Sequence, residues 1–252
     1  MTMKRFSLLI AGFTAAALAV APAAATAQIV ELGKTASPVI APSCPKGASP
    51  SQCFIILTRT TALQTVSDGV KYPTTVKHNG WIVAFTVGLS KLWPSPKIER
   101  HLIHVLNAAY GGTPQLAITV LKPGRHNKYT VTAQSPTFHV TPFLGQVLQE
   151  PLSLPPTFTQ FTALPVKAGD VIGLTTPTWA PVLSYNLNPR RFAYRQSRQA
   201  NCQHSAAGQT AQLAVGNNTH YKCNYPGTRV EYSVTEVVNH TYPKKYVHAP
   251  RR

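Results

Sequence analysis

The chain has 252 residues, of which 44% are hydrophobic and 12% charged, enough apolar material for a sizeable core and too few charges for a coiled coil or salt-bridged helices. Its 15 Gly and 22 Pro imply many turns without collagen-like repetition. Lys and Arg number 24 against 7 Asp and Glu, a formal net charge of +17, so the partners it attracts without specific recognition are anionic polymers and surfaces.

Residues 1–27 carry Lys4 and Arg5, an apolar run from Phe6 to Val20, and then Ala25-Thr26-Ala27. Charge, a short apolar stretch and a small-x-small site make a secretory signal peptide cleaved after Ala27. No apolar run of membrane-spanning length follows, so no transmembrane segment is expected after cleavage, and the product is expected outside the cell. Residues 28–52 contain Pro38, Pro42, Pro45 and Pro50 with few large apolar groups, which reads as an extended leader. A single domain is expected over 53–240, and a basic tail with Lys244, Lys245, Arg251 and Arg252 over 241–252.

Within the domain, apolar residues recur every second position, as in a strand with one buried face. Trp81, Val83, Phe85 and Val87 form one such set; Leu116, Ile118 and Val120 a second; Tyr129, Val131 and Ala133 a third; Val230, Tyr232, Val234 and Val238 a fourth. Less regular strands are expected over 53–59, 157–166, 171–175 and 182–187. Lys167-Ala168-Gly169-Asp170 reads as a hairpin turn with Gly169 free to take positive φ, and Pro123-Gly124 ends another strand. One short helix is expected near 96–110: Ser95 as cap, Pro96 in the first turn, Leu102, Val105, Leu106 and Ala109 on the buried face, and Gly111-Gly112 as the stop. Short strands with turn chemistry between them predict an all-β fold, an antiparallel β-sandwich of jelly-roll type with long loops.

Gly80-Trp81-Ile82-Val83, Ala117-Ile118-Thr119-Val120-Leu121 and Leu164-Pro165-Val166-Lys167-Ala168-Gly169-Asp170-Val171-Ile172-Gly173-Leu174 resemble segments of secreted bacterial β-sandwich proteins of uncharacterised function. The resemblance implies export and an all-β fold, and it brings no catalytic or binding residue with it.

Four cysteines, Cys44, Cys53, Cys202 and Cys223, allow three pairings in an oxidising compartment. Local pairing, Cys44 with Cys53 and Cys202 with Cys223, fastens the leader and closes the long loop before the last strand. The competing reading is a zinc site from Cys202-x-His204 and His220-x-x-Cys223; the tight C-x-H spacing and the oxidising compartment favour the staple. No metal site and no cofactor is therefore assigned.

The densest basic segment holds Arg190, Arg191, Arg195 and Arg198, with Phe192 and Tyr194 interleaved. Guanidinium forks match phosphate, sulfate and carboxylate oxygens, and a ring can stack on a sugar face. Arg190, Arg191, Tyr194, Arg195 and Arg198 are the candidate site for an anionic ligand; the alternative packs both rings onto the sandwich and leaves the arginines solvated. An anionic glycan or cell-wall polymer is the expected partner. No helix-turn-helix, finger or RNA-recognition pattern appears, so sequence-specific nucleic-acid binding is not expected.

The acid inventory is Glu31, Asp68, Glu99, Glu150, Asp170, Glu231 and Glu236, and most of these have turn, leader or helix-start positions. Glu231 and Glu236 differ in parity on the last strand and should face opposite ways, which disfavours a paired-acid glycosidase. No G-x-S-x-G elbow is present, and His101 and His104 read as solvated on the helix. The sequence thus points to a secreted, disulfide-stabilised basic β-sandwich that binds an anionic or carbohydrate surface. An extracellular structural or matrix component without a small ligand, and a hydrolase of unrecognised type, are the alternatives.

Overall fold

The computed structural model describes residues 28–44, 46–49, 55–152, 163–198, 200, 202 and 210–238. The signal segment, Cys53, His204, most of the expected 157–166 strand and the basic tail lie outside them. In chain order the strands are β1 (Gln28–Leu32), β2 (Leu57–Ser67), β3 (Val70–Lys71), β4 (Gly80–Gly88), β5 (Gln115–Pro123), β6 (Lys128–Gln134), β7 (Phe138–His139), β8 (Val147–Pro151), β9 (Leu164–Val166), β10 (Val171–Ala180), β11 (Leu183–Ser184), β12 (Ala193–Gln196), β13 (Asn218–His220), β14 (Cys223–Pro226), β15 (Arg229–Val230) and β16 (Tyr232–Val238). Helix α1 (Pro96–Tyr110) connects β4 to β5. The fold is all-β, with antiparallel sheets that include a curled half-barrel.

The first sheet runs β1-β16-β4-β8, with β9 also on β4; the second runs β13-β6-β5-β10-β2-β12-β14, with β3 on β2 and β7 on β5. Ile82, Phe85, Val87, Tyr232 and Val234 of the first sheet share one core with Ala62, Ile118, Val120, Ile172 and Leu174 of the second. Each large side chain buried there contributes roughly 1.5–3 kcal/mol.

Two β-bulges rewrite the alternation. Opposite β16 the register steps from Thr235–Ala84 to Glu236–Ile82, skipping Val83. An extra residue on one strand flips the face of everything beyond it, so Phe85 and Val87 point inward as expected, while Ile82 takes the inward place of Trp81 and Val83, which are half-buried. On β6 the register steps from Ala133–Val120 to Val131–Leu121, skipping Thr132. Ala133 therefore faces the shared core, whereas Tyr129 and Val131 join Leu63, Leu121, Val171 and Tyr221 in a second cluster.

That second cluster lies on the far side of the second sheet, whose central strands are buried along almost their whole length. Both faces are covered, so the single oily layer of a simple sandwich becomes two layers. Polar groups on the covered face satisfy one another: Thr175 Oγ1 lies 2.8 Å from Thr61 Oγ1 and 2.6 Å from Thr119 Oγ1, and Gln134 Nε2 donates to Thr119 Oγ1 at 3.0 Å.

The chain enters the fold earlier than the leader reading implies, because β1 pairs along β16 from Gln28–Val238 to Leu32–Val234. Lys167–Asp170 is a turn, with Gly169 at φ 94°, but not a hairpin: β9 pairs with β4 and β10 with β2 and β5, so the turn carries the chain between sheets. Helix α1 has the expected ends, with extended Ser95 before it, Pro in its first turn and Gly111 at φ 81° after it. Ser95 caps through its carbonyl, which accepts from Glu99 N at 2.9 Å, not through its side chain. The face it packs inward is Leu102, Ile103, Leu106 and Tyr110, against Ile55, Leu92 and Trp179; Val105 is 46% exposed and Ala109 is exposed.

Candidate functional site

Strand alternation divides the arginine segment. Tyr194 is buried in the shared core and stacks on Tyr225 at 4.8 Å, which leaves Arg195 on the opposite face, where Nη1 donates to the Tyr221 carbonyl at 3.0 Å. Arg198 is 8% exposed and donates through Nη2 to Thr58 Oγ1 at 3.2 Å. Arg191 donates to Asp68 Oδ1 at 2.6 Å and lies 5.8 Å over the Phe192 ring. Arg190 is exposed in the preceding turn. Arg190, Arg191, Tyr194, Arg195 and Arg198 are thus not brought to one exposed surface, and three of the four guanidiniums are engaged within the chain.

The Asp68 carboxylate shows what this arrangement does instead. Burial raises its pKa, but donation from Thr35 Oγ1, Ser37 N, Ser37 Oγ and Arg191 outweighs burial and holds it below the usual carboxylate range. The charges here fasten the 35–37 segment to the β2–β3 turn.

An open cleft of about 630 Å³ lies where residues 41–44 and 46–48, the loop 91–94 and Gly145 meet. Its shape follows from three local anchors. Leu92 is 5% exposed in the cluster with Ile55 and Trp179, and its N–H donates to Glu99 Oε1 at 3.1 Å. With Leu92 turned inward, Lys91 is exposed and Trp93 is half-buried at the cleft. Gly145, at φ 85°, lets the β8 lead-in pass the loop: a Cβ there would lie 3.3 Å from Lys91 Cβ, and Gly145 N donates to the Leu89 carbonyl at 2.9 Å. Cys44 is disulfide-bonded and bounds the opposite side; its expected mate, Cys53, lies outside the described residues.

Lys46, Lys91 and Trp93 line this cleft together, prolines 42 and 94 add apolar wall, and none of the described residues that line it is an acid. An indole face packs on the C–H face of a sugar ring, and two ammonium groups with no competing carboxylate attract an anion. The sequence reading passed over these three residues. The available signal was Lys91-Leu92-Trp93-Pro94, an aromatic beside a cation in the connection between a strand and a capped helix.

A second cavity of about 370 Å³ is lined by Ser197, Thr210, Gln212, Asn217, Asn218 and Thr219, among others, and none of the described residues that line it is a histidine or carboxylate. Ser197 Oγ lies 3.0 Å from Thr61 N and 3.1 Å from Thr60 Oγ1, which makes it a structural hydroxyl rather than an activated nucleophile.

The two last-strand acids do not meet. Glu231 lies before β16, accepts from Ile40 N at 3.3 Å and stands 3.5 Å from Arg229 Nε; burial raises its pKa and Arg229 partly offsets that rise. Glu236, fully buried, has no hydrogen-bond partner at either oxygen, and burial pushes its pKa up to about 7. The sulfurs of the competing zinc reading are joined in the Cys202–Cys223 disulfide, and among the described residues no three His, Cys, Asp or Glu cluster as metal ligands. No described helix is long and apolar enough to cross a membrane. No family model, curated protein or solved structure matches this chain.

Proposed function

We propose that this is an exported binding module that takes an acidic sugar of an anionic glycan into the cleft of Lys46, Lys91 and Trp93. The observation that carries the reading is the pairing of one indole with two lysines in a cleft with no acid among the described residues that line it. Export is supported by the charged, apolar and small-residue order of residues 1–27 and by the Cys202–Cys223 bridge. In this reading the Arg190–Arg198 segment is framework, since Arg191, Arg195 and Arg198 bond within the chain.

The finer fold reading, a jelly roll, belongs to the same proposal. What supports it is strand order: β1, β16, β4 and β8 in one sheet and β2, β10, β5 and β6 in the other interleave first with last and inner with inner, as two nested Greek keys do. Strands β11 to β15 are then an insertion before the final strand.

Isothermal titration with galacturonate and with galactose tests the site. The expected result is binding of galacturonate at least tenfold tighter than galactose, lost on W93A and stripped of its salt dependence in K46A/K91A. Equal affinity for the two sugars, or retention of both in W93A, overturns the reading.

A further inference from the structure

Helix α1 gathers several cations on one exposed face. Lys97, Arg100, His101 and His104 occupy i, i+3, i+4 and i+7, which places them on one stripe, and all four are exposed. The stripe points directly away from the face formed by Leu102, Ile103, Leu106 and Tyr110. Glu99, the helix's sole acid, is turned to the buried side to accept from Leu92 N. Among the described residues no ion pair engages the stripe; Arg59, at the far end of the helix, is held by the Tyr110 carbonyl.

We infer that this face of α1 docks a linear polyanionic glycan, a chain with carboxylate or sulfate groups repeated along it. From Lys97 to His104 the helix rises about 10 Å, so the stripe spans more than one sugar and engages a chain rather than a monomer. Three observations choose the occupant. Charge complementarity selects an anion. The apolar exposed side chains, Ile98 at 39% and Val105 at 46%, lie on one flank and not at the outward centre, the reverse of a helix that beds into a bilayer. The stripe carries no Phe, Tyr or Trp, the large rings that make a stacking platform for unpaired bases. The inference extends the cleft reading from one acidic sugar to a polymer, and rests on it for the sugar but not for the charge. The stripe bears two fixed cations, Lys97 and Arg100, with two imidazole N–H donors beside them in His101 and His104.

The test compares galacturonate with its hexamer on the full chain at 50 mM salt. The hexamer is expected to bind at least tenfold tighter than the monomer. In K97A/R100A/H101Q/H104Q that tenfold gain disappears while monomer affinity holds, and the dependence of affinity on salt becomes shallower. Ala and Gln keep the helix, and the single reversal R100E provides the same readout should the fourfold variant melt early. Monomer binding lost with the hexamer effect intact sinks the cleft reading alone. Unchanged hexamer binding in both α1 variants overturns the inference, as does tighter binding to phosphatidylglycerol vesicles or to single-stranded DNA than to the hexamer.

Discussion

The Glu236 carboxyl lies against Gly80: a Cβ added at Gly80 would come within 3.2 Å of Oε1 and run into the Val237 carbonyl oxygen. Both Glu236 oxygens are buried without a partner, on the inward side of β16 that also carries Tyr232 and Val234. An acid in that position prefers to be neutral, and burial lifts its pKa from 4.5 to about 7. The folded state then holds the proton more tightly than the unfolded chain, so this group's contribution is complete below about pH 4.5 and is lost as pH rises through 7. Across that window the loss is of the order of 3 kcal/mol. E236L is expected to raise the melting temperature at pH 8 and to remove this part of the slope. Calorimetric melts of wild type and E236L between pH 4 and 8.5 check it; superimposable slopes refute it.

Reducing the Cys202–Cys223 bridge frees a loop of 21 residues. In the chain-entropy model such closure stabilises by about 3 kcal/mol. The loop also delivers Tyr221, whose hydroxyl donates to Gln212 Oε1 over the second apolar cluster, and the Cys202 carbonyl accepts from Tyr225 at 2.6 Å. C202A/C223A is therefore expected to lose stability by about that amount in urea unfolding, and to expose the covered face of the second sheet to hydrophobic dye. An unchanged midpoint would show that the loop holds itself by its polar contacts.

Arg229 and Glu231 form a buried pair that fixes the segment entering the cleft. Arg229 donates to the Pro38 and Ser37 carbonyls at 2.9 and 3.1 Å, and Glu231 accepts from Ile40 N. Removing one partner of a buried pair typically costs 3–5 kcal/mol, because it strands the other charge. R229M is expected in that range and to be worse at pH 8 than at pH 5, since Glu231 then loses the cation that offsets its burial. R229M/E231L is expected to recover much of the loss. A double-mutant cycle by urea unfolding measures the coupling, and additive single effects would refute it.

Period-two patterning carried the sequence reading a long way where strands are regular. Leu116, Ile118 and Val120 of the unbroken strand β5 all lie in the shared core, and Val230, Tyr232 and Val234 lie there too although β15 ends at Val230 and β16 begins at Tyr232; Val238 is buried outside that cluster. It failed at Trp81 and Val83, and it merged Tyr129 and Val131 with Ala133, because an extra residue changes register without changing composition. Helix α1 was legible from its ends, Pro96 and Gly111, but not in its face, because Ile103 and Tyr110 fit the same spacing as Val105 and Ala109. The site was least legible. A run of arginines in sequence resembles a patch, yet along β12 neighbours point to opposite faces, and Lys46 comes to line one cleft with Lys91 and Trp93 only because two segments distant in sequence converge.

Gly88 sets the last prediction. It ends β4 opposite Val147 of β8, and the Ile40 carbonyl crosses so close over its Cα that any side chain would collide with backbone. Its own N–H donates to the Glu231 carbonyl at 2.8 Å, so the position cannot retreat from the crossing strand. The segment pressed against it continues into Ala41, Pro42, Ser43 and Cys44, which form one wall of the cleft. G88A must therefore displace that wall rather than the core, whose side chains it does not touch. The expected outcome is a loss of galacturonate binding by tenfold or more together with faster proteolysis of the 37–44 segment. The buried cluster around Phe85 and Tyr232 keeps its near-ultraviolet circular dichroism. Intact binding in G88A would mean that the wall can shift without opening the cleft, and a collapsed near-ultraviolet signal would place Gly88 in the core's service instead.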